Sequence, residues 1–162
     1  MVIASIAAIL LASASDLSDP WLTFGMSPGH PKERLLIEVG TVPQPSAKGV
    51  TNDELIYWAK MTAQLSDLNG TWWADSRHCP QLKKVVASVA ELKLPTIWTP
   101  ESQSEISIHT DAARYQLTAT TTYAKRFGEK LHFEAQPATP LAAWFDESYR
   151  SLNSCWSGKR PI

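Results

Sequence analysis

The chain has little cysteine, little glycine and no excess of either charge, and each shortage narrows what it can be. Two cysteines among 162 residues are too few for a disulfide-dense mini-scaffold or a thiolate-only zinc site. Cys79 is followed by Pro80, Gln81 and Leu82, so there is no Cys-x-x-Cys and no thioredoxin-type redox motif. Lys plus Arg number 15 against 16 Asp plus Glu, for a net charge of -1, and the basic residues fall in scattered pairs such as Lys83-Lys84 and Lys125-Arg126. That balance speaks against a nucleic-acid footprint and a polybasic membrane patch. Beyond Ala12 charged residues interrupt every apolar run, so no stable membrane insertion of the mature chain is expected.

What is present begins with an apolar run from Val2 to Ala12, of the length of a signal-peptide core and too short to span a bilayer. Ala12-Ser13-Ala14 supplies a small-residue cleavage site, after which Ser15, Asp16, Ser18 and Asp19 turn the chain polar. Residues 1–14 therefore read as a signal peptide and 15–162 as one exported domain, periplasmic or secreted. No Lys or Arg precedes the apolar run, so the charged segment of the leader is atypical or the true start lies upstream.

The mature chain reads as an α+β domain. Asp16 to Lys32, rich in Pro, Gly and Ser, is expected to be an irregular arm. Leu35, Ile37 and Val39 share one face of a strand over Arg34–Val39. Thr51 and Glu54 have the form of a capping box, and Leu55, Trp58, Ala59, Thr62 and Leu65 recur at helical spacing, which predicts a helix to about Leu68 ended by Asn69-Gly70. A short strand over Thr71–Ala74 places Trp72 and Trp73 on opposite faces. Cys79 as N-cap and Pro80 as first residue open a second helix with the stripe Leu82, Val85, Val86, Val89, stopped by Pro95. The period then changes to two: Ile106 and Ile108, then Tyr115 to Tyr123, then Leu131 to Ala135, with breaks at Thr110-Asp111 and Phe127-Gly128, predict a three-stranded antiparallel meander. Thr139-Pro140 starts a last helix with Leu141, Trp144, Phe145, Ser148 and Leu152 along one face. The sum is a mainly antiparallel sheet with about three helices packed on one face.

The two cysteines then become specific. Cys79 begins one core-facing helix and Cys155 extends the inward stripe of another, so a disulfide between them ties both helices onto the sheet. Closing a loop of about 76 residues is worth roughly 4 kcal/mol in the chain-entropy model. The competing reading is a reactive thiol, favoured by a helix N-terminus with Arg77 and His78 beside it, but an exported pair is ordinarily bonded.

Motifs for catalysis are sparse. Gly25-Met26-Ser27-Pro28-Gly29 matches the letters of a serine-hydrolase nucleophile elbow, yet that elbow needs an N–H on the residue after the serine, which Pro28 lacks. His109 and Asp111 lie two apart without a third metal ligand to nominate, His132 falls on the polar side of its strand, and Asp146 and Glu147 lie on the outer side of the last helix. Denser is Asp75-Ser76-Arg77-His78, four polar side chains between a strand and a helix; it reads first as a capping and turn network. Seven tryptophans are the other foothold. Trp58 and Trp144 are core by position, whereas Trp72, Trp73 and Trp98 are candidates to stack on a sugar ring, a peptidoglycan fragment or an aromatic ligand. The expectation is a small exported binding or interaction module with an unidentified ligand or protein partner, no cofactor and no metal. Its alternative is a hydrolase-like enzyme using Asp75, Arg77 and His78.

Overall fold

Alternation of apolar and polar residues builds six strands, and their apolar sides make one continuous surface for two helices. The computed structural model describes residues 17–29, 32–43, 55–93, 112–123 and 126–161. The strands are β1 (Leu22–Ser27), β2 (Arg34–Thr41), β3 (Tyr57–Gln64), β4 (Asn69–Asp75), β5 (Arg114–Tyr123) and β6 (Arg126–Ala135). They form one sheet in the order β4-β3-β2-β1-β5-β6, antiparallel throughout. The first four make a meander. The chain then passes through α1 (Gln81–Ser88) before adding β5 beside β1 and β6 beside β5, and it returns through α2 (Pro140–Leu152).

Register aligns the core. Leu22 and Phe24 on β1 stand opposite Val39 and Ile37 on β2 and opposite Ala119 and Leu117 on β5; Ala59, Met61 and Ala63 on β3 continue the row opposite Val39, Ile37 and Leu35. All are buried, as are Leu82 and Val85 of α1 and Leu141, Phe145 and Leu152 of α2. Phe24 lies at the centre, with ring centroids of Trp144 and Phe145 at 4.9 and 6.1 Å in edge-on geometry, the arrangement aromatic quadrupoles prefer. Thr139 caps α2 by accepting from the Ala142 N–H at 3.3 Å, and Pro140 opens the helix as expected. The helix at Gln81 begins one residue later than expected, with Pro80 rather than Cys79 in the N-cap position.

Three expectations are corrected. Two helices pack on the sheet among the described residues, not about three, because the stretch expected to be helical to Leu68 contains β3. Tyr57, Ala59, Met61 and Ala63 alternate at period two inside a segment that also satisfies helical spacing, and pairing with β2 on one side and β4 on the other decides between the periods. The Thr51–Glu54 capping box lies outside the described residues. The supposed irregular arm contains β1, which is central in the sheet. Gly25 suggested a loop, yet a Cβ there would collide with the Leu35 carbonyl oxygen; glycine is what lets β1 approach β2. Finally, the break expected at Phe127-Gly128 falls inside β6, where Gly128 is the extra residue of a bulge that shifts the register opposite Thr121 and Thr122 of β5 and takes φ 113°, a conformation glycine tolerates. The strand expected at Ile106 and Ile108 lies outside the described residues.

Cys79 and Cys155 are bonded, with Cα atoms 5.5 Å apart across a sequence separation of 76. The bond joins the start of α1 to the single turn, Asn153–Cys155, that follows α2. Beyond it the tail reaches the β4 edge, where Trp73 and Ser157 exchange two backbone hydrogen bonds of 2.7 and 2.8 Å.

Candidate functional site

The Asp75–His78 cluster forms the corner between β4 and α1. Ser76 is buried and fixed to β3: its N–H donates to the Tyr57 carbonyl at 2.9 Å and its Oγ accepts from the Tyr57 N–H at 3.0 Å. The Asp75 carboxylate turns back on its own loop. It accepts from the Arg77 backbone N–H at 2.9 Å, from Arg77 Nε and Nη2 at 3.2 and 3.3 Å, and from the His78 N–H at 3.3 Å. His78 Nδ1 lies 3.0 Å from Asp75 Oδ2, and the Asp75 carbonyl takes the Cys79 N–H at 2.8 Å. Burial alone pushes this carboxyl's pKa up; the hydrogen bonds from Arg77 and His78 and the Arg77 charge together outweigh it and hold the group below the ordinary aspartate value.

Chemically, a carboxylate orienting an imidazole is two parts of a nucleophilic triad. The third part is not assembled. Ser76 Oγ is engaged with Tyr57, the Cys79 sulfur is bonded, and among the described residues no hydroxyl or thiol hydrogen-bonds the outer nitrogen of His78. The His78 side chain is 83% exposed, outside any water-excluding cleft. The Asp75 carboxylate and carbonyl thus close a hydrogen-bonded turn that leads into Cys79.

The tryptophans separate onto the two sides of the sheet. Trp72 lies opposite Met61 on the helix-bearing side and packs against the core, with Gly70 leaving room for its ring: a Cβ there would sit 2.9 Å from it. Trp73 lies on the open side with Trp58, ring centroids 5.8 Å apart. Trp58 is only 4% exposed although among the described residues no helix lies on that side; it lies against Gly40, where a Cβ would come within 2.5 Å of the indole. Half-buried Trp73 is flanked by charge. Lys60 Nζ is 6.0 Å and the Arg160 guanidinium 5.7 Å from its ring centroid, and Lys60 pairs with Glu38 at 2.8 Å. Lys60, Glu38 and Arg160 were not foreseen from sequence. Reading Tyr57–Gln64 as a strand would have exposed the signal, since Trp58 and Lys60 then alternate onto the face of Trp73. Trp98 lies outside the described residues.

Other candidates are dispersed. His132 is exposed on the open side of β6, its ring joining Thr118 Oγ1 at 2.9 Å and Glu134 Oε1 at 3.2 Å. Asp146 and Glu147 are exposed on α2. Ser27 ends β1 and donates to the Glu33 carbonyl at 2.9 Å; a loop to β2, not a helix, follows it, so the elbow geometry is absent. His109 and Asp111 lie outside the described residues, among which no group of three or more His, Cys, Asp or Glu could hold a metal ion. A groove of about 530 Å³ runs between α1 and α2, lined by Lys84, Ser88, Leu92, Trp144 and Glu147; Trp144 Nε1 donates to Ser88 Oγ there at 2.9 Å. Among the described residues no helix is long and apolar enough to cross a membrane. No family model, no characterised protein and no solved structure matches this chain.

Proposed function

We propose that the chain is a small exported, non-catalytic binding module, and that it takes its ligand on the open side of the sheet around Trp73. One observation carries the reading: in the densest polar cluster the Asp75 carboxylate is engaged by Arg77 and His78 of its own turn, whereas Trp73 remains partly open between Lys60, Glu38 and Arg160. An indole surface with cations at its rim suits a ring-bearing ligand carrying an acidic group. A cell-wall sugar fragment with a carboxylate is such a ligand, and it occurs where an exported domain works. The bonded cysteine pair is compatible with that compartment.

The test is an NMR titration of the protein with soluble muropeptides. The expected outcome is saturable shifts of the Trp73 indole N–H and of Lys60, a loss of at least about tenfold in affinity for Trp73→Ala, and no change in the ligand itself. Shifts confined to the helix groove, or none, sink the assignment. Ligand hydrolysis abolished by Asp75→Asn would establish the enzyme reading in its place.

A further inference from the structure

The sheet ends in two edges, and among the described residues only one is covered. At β4 the tail supplies a bridging residue, Ser157. At β6, ten residues long, no strand lies outside it among the described residues. Its helix-side surface is also thinly covered, because α2 packs chiefly over β5: Phe133 is only partly buried and Leu131, at 37%, is an exposed large apolar side chain. A bare edge of this length is a template for another strand.

Side-chain order on β6 says which strand fits. On the open side stand Lys130, His132 and Glu134; on the helix side stand Glu129, Leu131, Phe133 and Ala135. Charges along an edge normally deter arbitrary pairing. Here they are self-complementary. When β6 meets an antiparallel copy of itself with His132 opposite His132, Lys130 faces Glu134 twice and Leu131 faces Phe133 twice, giving two opposite-charge pairs on one side and two apolar pairs on the other. Neighbouring registers lose this. Centred on Lys130 or on Glu134, like charges meet directly; centred on Leu131, the Glu129 carboxylate lies against the Phe133 ring; centred on Phe133, the strand runs out at Ala135 and Lys130 has no carboxylate opposite.

We infer that the protein self-associates through β6, pairing antiparallel with β6 of a second copy about a twofold axis at His132 and joining the two sheets into one. The interface is isologous, as twofold dimers require, and it buries Leu131 and Phe133. It leaves Trp73, at the opposite end of the sheet, accessible in both copies.

Charge reversal and its compensation provide the test. Across β5, Lys130 and Glu134 face the uncharged Thr120 and Gln116, so within the single chain exchanging their charges disturbs only the solvent-exposed contact of Glu134 with His132, which is worth little. By sedimentation velocity from micromolar to millimolar protein, the expected result is a reversible dimer. K130E and E134K each weaken it about tenfold or more, since one substitution makes two like-charge pairs, and K130E/E134K restores it to within about threefold. Near-UV circular dichroism of each variant reports that the fold is kept. A monomer throughout that range, a dimer indifferent to the single reversals, or a double variant no better than the singles each overturns the proposal.

Discussion

The two ends of the sheet are built on opposite plans. The β4 end has a disulfide, a bridging tail, an aspartate engaged by its own turn, and the indoles of Trp72 on one face and of Trp58 and Trp73 on the other. The β6 end has a strand, a bulge and alternating charge. The difference teaches where order comes from in a domain this small. The central strands hold together through apolar burial, but an edge has core on one side only, so it is stabilised either by covalent and polar ties within the chain or by another chain.

The sharpest way to break the contrast is to remove the tie. Cys79→Ala with Cys155→Ala is expected to cost about 4 kcal/mol of unfolding free energy in urea titration. Amide exchange at Trp73 and Ser157 should accelerate before that at Leu117 in β5. Equal acceleration at both ends would show that the disulfide stabilises the whole sheet and not one edge.

Asp75→Asn should come next, at about 1–3 kcal/mol, because the neutral amide replaces a buried carboxylate that accepts several donors. The pH dependence has a definite sign. With its folded pKa below the ordinary value, Asp75 contributes its full stability above about pH 4 and loses it as pH falls through the folded value. The stability gap between the natural chain and Asp75→Asn should therefore be constant at neutral pH and shrink in acid. A gap that widens on acidification would refute the assignment of the carboxylate as the charged acceptor.

The smallest effect belongs to β6. Leu131→Thr, measured at dilutions where single chains predominate, should change stability by no more than about 0.5 kcal/mol, as for other exposed positions. A cost above about 2 kcal/mol would mean that this edge is buried in the single chain.

Much of this was legible in the residues, and the exceptions have identifiable physics. The β2 alternation and the stripes of both helices were sufficient because each periodicity had one interpretation. In Leu55–Leu65 two periodicities coexist, and local propensity does not choose between them; strand partners on both sides do. Gly25 was misleading because a glycine that permits close strand approach carries the same letter as one that permits a turn. That Asp75 to His78 form a hydrogen-bonded turn was readable from their composition, but the Trp73 surroundings were not, since Glu38, Lys60 and Arg160 come from distant segments that only register and the returning tail bring together.

By itself the sequence determined the α+β class, the two core helices and the pairing of its only two cysteines, because periodicity, proline position and a cysteine count of two are local or combinatorial facts. Tertiary structure alone decided that β1 is central, that the tail covers one edge and not the other, and which tryptophan faces water. Those outcomes depend on which strand lies beside which, a long-range choice set by the total burial of the sheet and not by any short segment.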